Sequence, residues 1–306
     1  MSTVRVAVVQ ATPVVLDAEA SVEKACGLIV EAGAGGARIV ALPETFVPLY
    51  PSSAWAHGCA RFGRAPAELH RRLWANSVDV PGPLTDRLGQ AAREAGAWVG
   101  IGVNERDARR PGTLWNTLVW LAPDGTLAGR HRKLMPTLHE RVFWGQGPGD
   151  DLGAHQADFG RLGGLICWEN FMPDARRRLH REGVDFYLAP TADDRDVWVP
   201  AMRAFAFEAG AFVLSPLQYL RRDDFPADFP LADELESCGE ELISGGSVVV
   251  DPWGTVIAGP VYGREEILFA DCELGAIIAA RRVFDVAGHY DRPDVLGGEP
   301  AAAGLS

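Results

Sequence analysis

Gly163-Gly164-Leu165-Ile166-Cys167-Trp168-Glu169-Asn170 is an apolar run that stops at a cysteine. It predicts a short buried strand over 162–167, and Pro173 suits the first turn of a helix predicted over 174–182. A cysteine between a strand end and a helix start is held on a rigid element, near the positive end of a helix dipole. Both effects favour the thiolate, the nucleophilic form. By itself such a cysteine is more often simply buried. That plainer reading is given to Cys26, on the apolar face of a helix, and to Cys272, at a strand end. Cys59 and Cys238 fall in loops and are expected to be exposed, without partners.

Outward from this segment, strand-like runs alternate with helical ones. On the N-terminal side the pattern predicts strands over 4–10, 38–42, 98–103, 117–121 and 126–131, with helices over 18–34 and 84–95. The turn Pro123-Asp124-Gly125 joins two of those strands. On the C-terminal side it predicts strands over 186–189, 212–216, 247–251, 256–258 and 267–272, with a helix over 197–209 and another at the end. Strand–helix alternation mixed with hairpins indicates an α/β protein with a mixed sheet or a pair of sheets. No linker or repeat divides it, so one domain is expected over 1–285, followed by a Gly/Pro-rich tail over 286–306 that runs along the surface or frays. Two irregular stretches, 47–65 and 220–245, are long enough to be lids or contact surfaces.

Composition narrows the function classes. Of 306 residues, 47% are hydrophobic and 23% charged, which is globular. The formal charge of −12 argues against nucleic-acid binding, which needs basic surface. The one basic cluster, Arg176, Arg177, Arg178 and Arg181, reads as a solvated helix face. Five scattered cysteines without CxxC spacing indicate neither a disulfide framework nor a zinc site. With no run approaching twenty apolar residues and no leader pattern, a cytoplasmic protein without membrane association is expected.

Two further segments place charge at strand ends. In Ala41-Leu42-Pro43-Glu44-Thr45-Phe46 a glutamate directly follows a buried strand. In His131-Arg132-Lys133-Leu134-Met135-Pro136-Thr137 a lysine follows another, and Pro136 keeps the segment from continuing as regular structure. Glu140 comes next, ahead of the aromatic, glycine-rich run Phe143-Trp144-Gly145-Gln146-Gly147.

Together these segments resemble the nitrilase superfamily of carbon–nitrogen hydrolases over residues 4–296. Glu44, Lys133 and Cys167 match its glutamate–lysine–cysteine triad residue by residue, with Glu140 at its second glutamate. Several stretches look like the nitrilase branch itself. They are Arg132-Lys133-Leu134-Met135-Pro136-Thr137 through Glu140-Arg141, Trp144-Gly145-Gln146-Gly147, and Cys167-Trp168-Glu169-Asn170-Phe171-Met172-Pro173. Ile243-Ser244-Gly245-Gly246-Ser247 leading into Asp251-Pro252, and Gly288-His289-Tyr290 before Arg292-Pro293-Asp294, continue the likeness.

The resemblance implies a four-layer αββα sandwich that pairs through helices to αββααββα in a homodimer or larger homo-oligomer. The tail is short for a filament-forming member. It implies a nitrilase, taking an organic nitrile to its carboxylic acid and ammonia through a covalent Cys167 thioimidate and thioester. Glu44 would be the general base, Lys133 would stabilise charge on the substrate nitrogen with a backbone N–H close to Trp168, and Glu140 would position Lys133 or substrate. No metal and no organic cofactor is called for. Tyr50, Trp55, Trp168, Thr191 and Trp198 are expected to line the acyl pocket, and Glu169 either orients the site or makes a structural hydrogen bond. Asn116 and Asn170 are expected to satisfy backbone groups, and His131, His139 and His289 to be structural. The alternatives are an amidase or N-carbamoyl hydrolase with the same triad, a cyanide-degrading nitrilase, and a non-catalytic scaffold, which would have no reason to keep all four polar residues. Aliphatic, aromatic and arylacetic nitriles all stay open as substrates.

Overall fold

The computed structural model describes residues 2–296. With strands numbered in chain order, one sheet holds β1 (Thr3–Gln10), β2 (Ile39–Ala41), β3 (Trp98–Arg106), β4 (Leu114–Leu121), β5 (Leu127–Arg132) and β13 (Glu266–Glu273), in the order β13-β1-β2-β3-β4-β5. The other holds β6 (His155–Ala157), β7 (Gly160–Gly164), β8 (Phe186–Leu188), β9 (Phe212–Ser215), β10 (Tyr219–Arg221) and β11 (Glu241–Val250), in the order β10-β11-β9-β8-β7-β6, with β12 (Val256–Tyr262) paired to β11. The central strands β1, β2, β3 and β7, β8, β9 run parallel, and hairpins supply antiparallel edges.

Period-2 alternation along the strands sorts the side chains into layers. Val4, Val6 and Val8 of β1 join Leu118 and Trp120 of β4 in a core shared with Leu162, Phe186, Leu188, Phe212 and Leu214 of the second sheet. Ala7 and Val9 face the other way, onto helices α1 (Ala18–Ala34) and α4 (Pro83–Ala95). Tyr187, Val213, Val248 and Val250 likewise point outward, onto α5 (Pro173–Arg181) and α6 (Trp198–Ala209). The result is the αββα sandwich. Burying each such aliphatic side chain contributes roughly 1.5–3 kcal/mol. The start of α1 is set by Asp17, whose carboxylate accepts from Ala20 N at 2.9 Å.

The irregular stretches hold more structure than expected. The stretch 47–65 contains α2 (Ser53–Ala56) and a turn at His57–Ala60, and α3 (Arg64–Ala75) begins inside it. Only Leu69 and Leu73 of α3 are buried, one turn apart, among charged neighbours Glu68, Arg71 and Arg72. The stretch 220–245 contains α7 (Ala232–Glu236), and β10 and β11 reach into it from either side. Phe225 and Phe229 of this stretch pack on Trp55 at 5.9 and 5.2 Å between ring centroids. Cys59 is buried rather than exposed, in the same cluster. Cys238 is half-buried.

After α8 (Gly275–Val283), the first part of the tail is docked. Asp291 pairs with Arg177 at 3.0 Å and Arg181 at 3.4 Å, and the short α9 (Pro293–Leu296) follows. Arg176 pairs with Glu208 at 3.1 Å and Arg178 donates to Gly149 O, so the basic cluster is a set of tethers and not a solvated face. The rest of the tail lies outside the described residues. Among the described residues no helix is long and apolar enough to cross a membrane.

Candidate active site

Four polar side chains meet at the C-terminal ends of strands from both sheets. Glu44 lies just beyond β2, in a turn that presses against β3: a Cβ on Gly102 would stand 2.3 Å from Thr45 N and 2.4 Å from Pro43 O. Lys133 lies one residue beyond β5, anchored by its N–H to Asn116 O and by its carbonyl to Gly147 N, each at 2.8 Å. Glu140 belongs to the helical turn Leu138–Val142. Cys167 begins another turn, Cys167–Phe171, and its N–H donates to Pro190 O at 2.8 Å. The strand β7 therefore stops at Gly164, three residues short of the cysteine. Among the described residues four non-glycine residues have positive φ: Leu16, Thr45, Leu138 and Cys167. Three of them are Cys167 itself or neighbours of Glu44 and Glu140. Such conformations cost about 1–3 kcal/mol each and persist where the surroundings enforce them.

The charges are buried and mutually bonded. Lys133 Nζ donates to Glu44 Oε1 at 2.8 Å and to Glu140 Oε2 at 2.7 Å. Tyr50 Oη donates to Glu140 Oε1 at 2.7 Å, and Thr137 N to Oε2 at 2.7 Å. Asn116, expected to serve the backbone, instead donates its amide to Glu44 Oε1 at 2.7 Å. Glu44 Oε2 is buried and has no protein partner. Burial pushes the Glu44 carboxyl up to about 7, against the pull of the Lys133 ammonium and helped by Glu140. Burial also opposes the charge on Lys133, but Glu44 and Glu140 together hold it protonated.

Cys167 differs from the sequence expectation. Burial, reinforced by the Glu44 carboxylate, drives its thiol well above the usual range, and Lys133 and Thr191 only partly offset this. The resting residue is a thiol, because a five-residue turn in a desolvated site contributes less than the loss of solvation. Thr191, expected only as a pocket wall, donates Oγ1 to Cys167 Sγ at 3.0 Å.

A cavity of about 220 Å³ opens at the cysteine, with walls that include Tyr50, Glu140, Cys167, Trp168, His139, Asp193, Arg195 and Leu242. At its mouth Trp168 Nε1 donates to Asp193 at 2.8 Å, Arg195 pairs with the same carboxylate at 2.6 Å, and the Arg195 guanidinium lies 4.6 Å from the Trp168 ring centre. Tyr50 and Trp168 are part of this wall. Trp55, Thr191, Trp198 and Glu169 are not among the residues that line the cavity. Trp55 fills the core under 220–245, Trp198 donates to Ser215 Oγ at 2.8 Å beneath α6, and Glu169 is bonded to backbone amides behind the site. His139 was read as structural but forms part of the wall, with Nε2 at 2.9 Å from Pro51 O. A larger cleft of about 570 Å³ lies beside Asp79, Arg106, Arg130 and Arg132, whose guanidinium groups are already taken by Asp79 and Glu105. Among the described residues no cluster of His, Cys, Asp and Glu is arranged to hold a metal ion.

The sequence matches the carbon-nitrogen hydrolase family over residues 5–282. The chain belongs to that family. This carbon–nitrogen hydrolase is 48% identical over 302 residues to the aliphatic nitrilase of Sinorhizobium fredii, covering 97% of this chain and 95% of that protein. It is 41% identical to a bifunctional nitrilase/nitrile hydratase of Nicotiana tabacum, covering 96% and 85%. Among solved structures, the Nit3 protein of Saccharomyces cerevisiae, a member of branch 10 of the nitrilase superfamily, superposes with a TM-score of 0.73 at 21% identity, over 95% of this chain and 97% of that one. The NitFhit protein of C. elegans gives a TM-score of 0.75 at 23% identity, over 96% of this chain and 66% of that one. These two likenesses concern the fold.

Proposed function

We propose that this carbon–nitrogen hydrolase is a nitrilase, converting an organic nitrile and two waters to a carboxylic acid and ammonia. The observation that carries the chemistry is a buried Cys167 thiol in the same buried site as Glu44, whose Oε1 is held by Lys133 and Asn116 while Oε2 has no protein partner. The free oxygen is the one available to take the thiol proton. Nitrile as the substrate class is supported by the 48% identity to the S. fredii aliphatic nitrilase across nearly the whole of both chains.

In this reading the Glu44 carboxylate accepts the Cys167 proton as Sγ attacks the nitrile carbon. Negative charge develops on the nitrile nitrogen, is stabilised by the Lys133 ammonium, and is neutralised by the proton that Glu44 returns. A water, deprotonated by Glu44, adds to the thioimidate. The tetrahedral intermediate then expels ammonia, its nitrogen having taken that proton and, as the carbonyl forms, the hydroxyl proton as well, to give a thioester. A second water hydrolyses the thioester to the acid and regenerates the thiol. If the carbon–sulfur bond breaks first, the amide is released instead. Glu140 acts through Lys133, and Tyr50 fixes Glu140 from the cavity side.

A homodimer or larger homo-oligomer paired through helices belongs to the same proposal, as do one catalytic domain and a cytoplasmic location. Exposed Phe207 on α6 and Ile278 and Val283 on α8 give that pairing an apolar surface. The test of function is ammonia release from aliphatic, aromatic and arylacetic nitriles and their matching amides, with products identified by mass. Acid from nitriles with little amide turnover is expected. Turnover of amides alone would move the chain to the amidases with the same catalytic residues.

A further inference from the structure

Behind the catalytic residues, and outside the cavity, three charged side chains form a continuous unit: Asp151, His131 and Glu169. Glu169 Oε1 accepts from Leu134 N at 2.6 Å and Oε2 from Ile166 N at 2.7 Å, while both oxygens lie 3.1 Å from His131 Nε2. On the other side of the ring, Nδ1 lies 3.1 Å from Asp151 Oδ1, and Asp151 Oδ2 accepts from Arg132 N at 3.1 Å. The amides on both sides of Lys133 and the amide preceding Cys167 are therefore held by one carboxylate–imidazole–carboxylate unit. A neutral imidazole would turn a bare nitrogen toward one of the carboxylates, so the ring is an imidazolium donating from both nitrogens. Burial alone would discharge it, but Glu169 and Asp151 outweigh burial and push the ring up to about 9.

Buried ion pairs of this kind contribute little net stability over well-packed apolar groups. What an apolar cluster could not do is make directed bonds to three backbone amides at or just beyond the ends of β5 and β7, strands of two different sheets. One of these segments carries the ammonium and the other carries the nucleophile.

We infer that Glu169, held by His131 and Asp151, is a positioning residue that sets where Lys133 Nζ stands relative to Cys167 Sγ, and so how the tetrahedral intermediate divides between acid and amide. The division depends on which group leaves. Ammonia leaves when the proton is delivered to nitrogen, and the carbon–nitrogen bond breaks as the carbonyl forms. The amide leaves when the carbon–sulfur bond breaks and the departing thiolate takes the proton back from Glu44. A displaced Lys133 changes the field on that nitrogen and on the Glu44 proton. The inference rests on the nitrilase reading above.

The test is Glu169→Gln in the full-length enzyme, measured for kcat, KM and the molar ratio of amide to acid from one turned-over nitrile. Glutamine keeps the shape but turns an NH2 toward one of the two backbone amides, releasing one side of the clamp. The expected result is a kcat lower by on the order of 10²-fold, the scale set by a misplacement near 1 Å, with KM unchanged and the product ratio shifted. A merely structural role would lower the amount of folded enzyme and leave kcat per folded enzyme and the ratio as they are. Where Glu169→Gln does not fold, Asp151→Asn, at a less buried position, is read by the same ratio and kcat, with a smaller shift expected. An unchanged kcat and ratio in the folded variant overturns the inference. Cys167→Ala is run alongside: turnover there would remove the covalent mechanism itself, whereas an inert Cys167→Ala with an unaltered Glu169→Gln overturns only the positioning role.

Discussion

Thr191 Oγ1 donates to Cys167 Sγ at 3.0 Å, and the same hydroxyl oxygen accepts from Asp193 N at 2.9 Å. The backbone amide occupies the oxygen's acceptor side and aims its proton at sulfur. In a site where burial holds the thiol protonated, this hydrogen bond favours the thiolate as it forms.

Thr191→Val removes that donor at nearly constant shape. The expected effect is a loss of kcat/KM of about tenfold, the worth of roughly one hydrogen bond to a charged group. Alkylation of Cys167 should slow in the same variant when followed against pH. Equal alkylation rates in the two proteins would show that the hydroxyl does not act on the sulfur.

The Glu44 carboxyl, pushed up to about 7, gives the rate its pH dependence. The base must be ionised to accept a proton, so kcat/KM should fall about tenfold per pH unit below that value. The sign for stability is the reverse. The folded state keeps this proton to higher pH than the unfolded chain, whose glutamates titrate near ~4.3. The stability that Glu44 contributes is full below that and is lost as pH rises through about 7. A pH–rate profile of kcat/KM alongside a pH–Tm series checks both slopes.

Lys133→Met leaves Glu44 and Glu140 as two buried carboxylates without the cation between them. Breaking such a group by removing one partner costs about 3–5 kcal/mol. A Tm lowered by several degrees is expected together with loss of nearly all turnover. The Tm change should shrink in acid, where the carboxyls protonate.

Gly102→Ala tests the close approach that fixes the Glu44 turn. Its Cβ would overlap backbone atoms of Pro43 and Thr45, so the turn must move, at a cost of about 1–3 kcal/mol and with a fall in kcat. Gly27→Ala, within α1 where a Cβ meets nothing, should instead stabilise by about 1 kcal/mol. Urea unfolding of the two variants separates an effect of position from an effect of residue type.

What the sequence reveals of this site follows strand ends. Glu44, Lys133 and Cys167 can each be found because an apolar run stops just before them, and their family resemblance joins them. Their partners cannot be found that way. Asn116 and Thr191 reach Glu44 and Cys167 only because strand order brings distant segments together, and nothing local marks which side chain either residue bonds. Trp55 and Trp198 mislead for the opposite reason, since a large aromatic near a site is equally useful as core. The charge state of Cys167 depends on burial by both sheets, which local spacing does not record. Helix α3 escapes because its buried face is only Leu69 and Leu73, among charged neighbours.

The most direct test of the central claim is intact-protein mass spectrometry after quenching the enzyme in acid during turnover of a nitrile. A mass increase equal to the acyl group, mapped to the peptide bearing Cys167 and absent from Cys167→Ala, is the expected result. Turnover without any adduct on that peptide, or turnover by Cys167→Ala, would contradict it.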